Sequence, residues 1–245
     1  MASKPDPNNG PCVLGIDAAW TAHQPSGIAL VQRSKTGWSC LAVARSYEAF
    51  IIQASSQPWD PQQKATGSRP DPAALLQASK LLTGAEVSCV SVDMPLATTP
   101  ITSRRAADTA ISSRFGPRGC AVHSPSAERP GAIADQLRAD FAAFGYPLHT
   151  NSSEQTGPSL IECYPHVALL ALLKRDYRLP YKVSRSAQYW KAKKLTRRER
   201  IERLLKEFQD IKASLDDHIS GIPAFIPAPS EVEWPDLRLG RHRTP

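Results

Sequence analysis

Two short apolar runs, each closed by a carboxylate, constrain this chain more than any other feature: Cys-Val-Leu-Gly-Ile-Asp17 at residues 12–17, and the run from Glu86 to Asp93. Both are of strand length and carry β-branched residues, so both read as buried strands. Gly27 to Gln32 and Trp38 to Ala44 read the same way. Between them, Arg33-Ser34-Lys35-Thr36-Gly37 is a five-residue loop with Gly at its end, as in a hairpin. The opening third is therefore expected to be a three-stranded meander.

Beyond it, a loop rich in Pro, Gln and Ser at 53–70 leads to Asp71-Pro72, an N-cap and first-turn pair that predicts a helix over Ala73 to Leu82. Residues 97–158 are polar, Arg-rich and dense in Pro and Gly, with a helical pattern from Ile133 to Phe144, and read as an insertion on the body of the fold. Leu160 to Tyr164 is a short strand candidate with Glu162 inside it, and Pro165 opens a helix over His166 to Lys174. Thr196 and Glu199 have capping-box spacing for a helix whose apolar residues Ile201, Leu204, Leu205, Phe208 and Ile211 recur at helical period. The expected organisation is a disordered leader at 1–11, a single α/β domain at 12–215 and an irregular Pro-rich tail at 216–245. Proline, at 22 of 245 residues, is about twice its usual share and fits a fold with many fixed turns.

The net charge of +7 is concentrated in one place. Between Lys182 and Glu207 ten bases face three acids, which leaves the rest of the chain balanced at twenty against twenty. A basic face on a neutral body points to a polyanionic partner. Lys182, Lys193, Lys194 and Arg197 are the candidates to hold a phosphate backbone, with Tyr181, Tyr189 and Trp190 placed to stack bases. Arg104, Arg105, Arg114 and Arg118 form a second Arg-rich loop that is a candidate anion site. The longest uninterrupted apolar run is the seven residues from Val167 to Leu173, far short of a membrane helix. The five cysteines are odd in number and lack a Cys-x-x-Cys pair, which argues against a disulfide framework and a zinc site and for a cytoplasmic protein with reduced thiols.

The order β-β-β-α-β, followed later by β-α, places Asp17 and Asp93 at the ends of the first and fourth strands. In a ribonuclease H arrangement those strands are neighbours, and two carboxylates crowded there repel unless a cation lies between them. Hard oxygen ligands of this kind suit Mg²⁺ or Mn²⁺. In such sites one ion generates the attacking hydroxide and a second stabilises the leaving oxygen. The strings Val-Leu-Gly-Ile-Asp17-Ala-Ala-Trp, Val-Ser-Val-Asp93-Met-Pro-Leu, Arg104-Arg105-Ala-Ala-Asp108, Ile-Glu162-Cys-Tyr-Pro-His166 and Leu-Pro180-Tyr181-Lys182 together resemble an uncharacterised family of predicted nucleases with the ribonuclease H fold (domain of unknown function 429). The resemblance runs from about residue 12 to about residue 210. It implies a metal-dependent nuclease in which Asp17, Asp93 and Glu162 hold Mg²⁺ or Mn²⁺, with Arg105 and Asp108 in the loop beside them and DNA or RNA as partner. His166, near a helix start beside Glu162, is a candidate for substrate binding or proton transfer. The departure from the family pattern lies at the far end. Members close with a helix bearing an Asp-Ala-Leu-Asp-Ala-like acidic pair, for which this chain offers only Asp216-Asp217.

Two alternatives stand beside the nuclease: a nucleic-acid-binding module of the same fold without chemistry, and a phosphotransferase of the actin-like fold. Against the latter, Asp17 is followed by Ala-Ala-Trp and not by a Gly- and Thr-rich phosphate turn. Serine-hydrolase, zincin, P-loop and dinucleotide-binding signatures are absent from the sequence.

Overall fold

Alternation along the first strand decides how the sheet is buried. Cys12, Leu14 and Ile16 are at most 3% exposed while Val13 and Gly15 between them are only half-buried, as the two-residue period of a strand requires. The computed structural model describes residues 10–55, 64–150 and 157–226. In it β1 (Cys12–Asp17), β2 (Gly27–Ser34) and β3 (Gly37–Ala44) form the expected antiparallel meander. The hairpin between β2 and β3 is tighter than the sequence suggests. Pairing continues to Ser34 and Gly37, and Gly37 takes φ +132°, a conformation an L side chain resists.

Two helices then cover the core face. Helix α1 (Tyr47–Ala54) starts where the Ser46 hydroxyl accepts from Ala49 N, and α2 (Pro72–Thr83) starts where Asp71 accepts from Ala74 N. Gly84 ends α2 in the left-handed region at φ 69°. Strand β4 (Cys89–Val92) is shorter than the run that announced it, and it pairs parallel with β1, Ile16 opposite Val92. Next come α3 (Ala106–Phe115), α4 (Ala132–Ala143), β5 (Ser159–Glu162) and α5 (Pro165–Leu172). Strand β5 pairs parallel with β4 in a register that sets Val92 opposite Glu162. A short helix α6 (Ser186–Tyr189) precedes α7 (Arg197–Asp216), whose capping box closes as expected, with Thr196 Oγ1 accepting from Glu199 N at 3.3 Å and Glu199 accepting from Thr196 N at 2.7 Å.

Residues 219–226 depart from the irregular tail read from the sequence. They form β6 (Ile219–Ser220) and α8 (Ile222–Phe225), and β6 adds to the edge of β3 at Trp38 and Ser39. The tail beyond 226 and the leader before 10 lie outside the described residues. The result is a mixed α/β fold with a six-stranded mixed sheet, β5-β4-β1-β2-β3-β6, flanked by helices. Among the described residues no helix is long and apolar enough to cross a membrane.

Leu14, Leu30, Val90, Val92 and Leu160 from the sheet meet Phe50 of α1, Leu75 of α2 and Phe141 of α4, each less than 2% exposed. Burial of each such side chain contributes about 1.5–3 kcal/mol. Helix α4 lies in the segment read as an insertion, yet its Leu137 and Phe141 belong to this main core. A second cluster of Cys120, Leu170 and Leu179, with Tyr164, Tyr181 and Ile211 packed on it, holds the 178–182 segment against α5 and α7.

Candidate functional site

The register fixes the geometry of the site before any side chain is considered. Asp17 is the last residue of β1, Asp93 follows the last residue of β4 and donates its N–H to Ile16 O at 2.9 Å, and Glu162 is the last residue of β5. Three parallel neighbours therefore end on the same side of the sheet, each with a carboxylate. All three line one cleft of about 580 Å³, together with Arg105, Asp108, His166 and Lys182 from the sequence reading. Lys193, Lys194 and Arg197 are exposed and are not among the residues lining that cleft.

Burial first, and the nearby Asp17 and Glu162 carboxylates after it, push the Asp93 carboxyl up to about 6 against an opposing pull from Lys182. Asp17, which is exposed, and Asp93, which is partly buried, thus bring two hard-oxygen groups to one cleft, a donor set that suits one divalent cation completed by waters and substrate oxygens. Glu162 is placed differently. Its Oε2 accepts from Arg105 Nη1 at 2.6 Å and from Leu96 N at 2.9 Å, and its Oε1 accepts from Arg105 Nη2 at 2.8 Å. Arg105 reaches its other way to Asp108, through Nη2 at 2.6 Å and Nε at 3.0 Å, and donates to Leu96 O at 2.7 Å. The fork therefore holds two acids at once, with Asp108 only 5% exposed. Burial raises the Asp108 carboxyl, but the Arg105 side chain and backbone N–H outweigh it and hold Asp108 below the usual carboxylate range. Two carboxylates fit a cation, whereas the third is engaged by an arginine that it shares with Asp108. Among the described residues no three His, Cys, Asp or Glu side chains converge as a metal cage.

His166 also sits differently from its sequence role. It is buried, with its ring between Tyr164 and Tyr181, and Arg178 Nη2 donates to its Nε2 at 2.6 Å. Burial, with Arg178, Lys182 and Arg185 nearby, pushes it down to about 3, so it remains neutral and acts as an acceptor for Arg178. The two arginine-rich and aromatic expectations change as well. Arg104 donates to Val122 O, Asp108 O and the hydroxyl of Ser124, and Arg118 donates to the carbonyls of Arg175 and Asp176. Both brace loops. Trp190 is buried, with Tyr189, itself partly exposed, packed edge-on against it at 5.9 Å between ring centres, and Tyr181, also partly exposed, packs on His166, so the Trp190 ring is not open to a base.

Trp20 and Tyr164 are the aromatics that line the cleft; Trp20 lies three residues after Asp17, with the Arg129 guanidinium 5.4 Å from its ring centre. Arg178 and Arg185 line it too and were not singled out from the sequence as site residues. Their signal was position: Arg178 lies immediately before the Leu-Pro180-Tyr181-Lys182 string, and Arg185 three residues after it. The late acidic pair does not join the cleft. Asp216 and Asp217 precede β6, which pairs with the start of β3 at the opposite end of the sheet from Asp17.

The family described as "Protein of unknown function (DUF429)" matches residues 15–221. Neither a curated protein nor a solved structure matches the chain.

Proposed function

The chain belongs to the DUF429 family of proteins of unknown function, and from its cleft we propose that it is a divalent-metal-dependent phosphodiester hydrolase acting on nucleic acid, built on a ribonuclease H-type sheet. The observation that carries this reading is the convergence of Asp17 and Asp93, at the ends of two paired parallel strands, in a cleft whose other walls present Arg129, Arg178, Lys182 and Arg185. An antiparallel meander extended on the β1 side by two parallel strands is the strand order such a fold requires, which supports the reading.

Asp17 and Asp93 would hold Mg²⁺ or Mn²⁺. The bound ion would supply charge neutralisation at a phosphoryl oxygen and a lowered pKa for water. The basic walls would draw in and orient the phosphate backbone, and the Arg105 fork would keep Glu162 fixed at the cleft edge. The exposed Lys193, Lys194 and Arg197 would extend the basic track beyond the cleft. A panel of single- and double-stranded DNA and RNA, incubated with Mg²⁺ or Mn²⁺, tests the proposal. Cleavage is expected with the native chain and not with Asp17→Asn, while folding is retained; cleavage undiminished by that substitution refutes the assignment.

One observation favours a second reading. Because Arg105 occupies Glu162, the cleft offers two free carboxylates where a two-ion nuclease uses three or more, and a module that holds nucleic acid without cutting it fits that arrangement. The same panel decides, since retained binding with no cleavage under either metal selects the module.

A further inference from the structure

The arginines of the cleft are not equivalent. Arg105 is matched by two carboxylates. Arg178, facing the same cleft, is held by neutral acceptors: His166 Nε2 at 2.6 Å and the Gly119 carbonyl at 3.4 Å. Its buried Nε has no hydrogen-bond partner among the described residues. The guanidinium is thus fixed in direction while its charge is left uncompensated. Lys182 and Arg185 stand beside it, both exposed on the cleft wall, and neither forms an ion pair among the described residues.

The local fold is what gathers them. Leu179 and Tyr181 are anchored in the second apolar cluster, so in this extended stretch the flanking residues Arg178 and Lys182 face outward to the cleft. The turn Val183–Arg185 then brings Arg185 round to the same wall. Three cations gathered with no direct ion pair among the described residues, and with only the longer-range pull between Lys182 and Asp93 to offset them, repel one another, and a bound dianion removes that repulsion.

We propose that Arg178, Lys182 and Arg185 form a subsite for a phosphate monoester, so that the cleft takes the phosphorylated end of a single strand and not the interior of a duplex. The inference rests on the nucleic-acid reading above and adds to it a substrate class. A monoester carries a second negative charge that an internal phosphodiester lacks, and three unpaired cations suit it better than one charge would. The volume of about 580 Å³ is that of a small-ligand pocket and suits a nucleotide-sized terminus. Trp20 with Arg129 lies on the same cleft and offers a face for the terminal base.

The test separates the subsite from the nuclease. Titration calorimetry with inorganic phosphate and with pyrophosphate, in EDTA so that no metal contributes, is expected to show binding that weakens about tenfold or more in Lys182→Gln/Arg185→Gln, a pair of exposed positions whose change spares the core. Arg178→Gln gives a second variant. In parallel, single-stranded oligonucleotides of one sequence bearing a 5′-phosphate, a 3′-phosphate or no terminal phosphate, and a nucleoside monophosphate, are compared for affinity. A preference of about tenfold for a phosphorylated end, abolished in the variants, is expected. Equal phosphate binding by native and variant protein, or no preference among the ends, overturns the subsite. Phosphate binding with the expected losses but no cleavage of any substrate upholds the subsite and removes the nuclease; metal-dependent cleavage blind to the terminal phosphate does the reverse.

Discussion

Replacing Asp93 by Asn should make the metal-free protein more stable, and only above a certain pH. Burial and the facing Asp17 and Glu162 push the Asp93 carboxyl from its ordinary 3.8 up to about 6. A group whose folded value is raised contributes fully below its unfolded value and loses that contribution as pH rises through the folded value. The native chain therefore loses stability between 3.8 and about 6, whereas an Asn at the same place, uncharged throughout, loses none. The rise corresponds to about 3 kcal/mol, which screening by the water that still reaches the cleft reduces to about 2 kcal/mol. Urea unfolding in EDTA should show the two proteins equal at about pH 4 and Asp93→Asn ahead by about 2 kcal/mol at about pH 8, with unchanged m-values. Excess Mn²⁺ should close the gap, since an ion at 100 times its Kd stabilises a protein by about 2.7 kcal/mol and only the native chain keeps both carboxylates. A difference that is the same at both pH values, or a variant less stable at the higher one, would refute the crowding of these carboxylates and with it the main support for a cation site.

Arg105→Met leaves the buried Asp108 without its partner and should cost about 3–5 kcal/mol in urea unfolding; Arg105→Lys keeps the charge but not the fork and should still cost about 1–3 kcal/mol, and a neutral result for both would show that the fork is ornamental. His166 is held neutral, pushed down to about 3 from 6.5, so its contribution is complete above 6.5 and lost as pH falls toward 3. Imidazole NMR signals that titrate near 6.5 would contradict this placement. Lys193→Gln combined with Lys194→Gln should lower nucleic-acid affinity and flatten its salt dependence by about two charges' worth of slope, measured by fluorescence anisotropy across a salt series, while phosphate binding in the cleft stays unchanged.

The strands and their terminal acids were legible because an apolar run of strand length has few other fates and because Asp17 and Asp93 close such runs. Helix α7 was legible from Thr196 and Glu199, whose capping box is a local motif four residues long. Helix α3 was not. Its sequence, Ala-Ala-Asp-Thr-Ala-Ile-Ser-Ser-Arg-Phe, has no apolar stripe, and Asp108 is its one buried residue. That helix is fixed by Arg105, whose second partner, Glu162, lies 57 residues away in the chain. The same long-range contact hid the fate of Glu162: a carboxylate in an apolar strand reads equally as a metal ligand or as an arginine's partner, and only the fold brings the arginine there. The basic stretch was visible as a charge excess. Its division was not, since the packing of Leu179 and Tyr181 turns Lys182 into the cleft and leaves Lys193 and Lys194 outside it.

Arg105 and Asp108 belong to two structures at once. The Asp108 carboxylate accepts from Arg105 N at 2.9 Å and so closes the first turn of α3, while the Arg105 side chain reaches Glu162 at the end of β5. The opening of that turn and the loosening of Glu162 are therefore coupled through Arg105. Amide exchange at the start of α3 becomes a clock for the cleft: a ligand that tightens the fork should slow it, and one that draws Arg105 away should let the turn breathe and release a third carboxylate into the site.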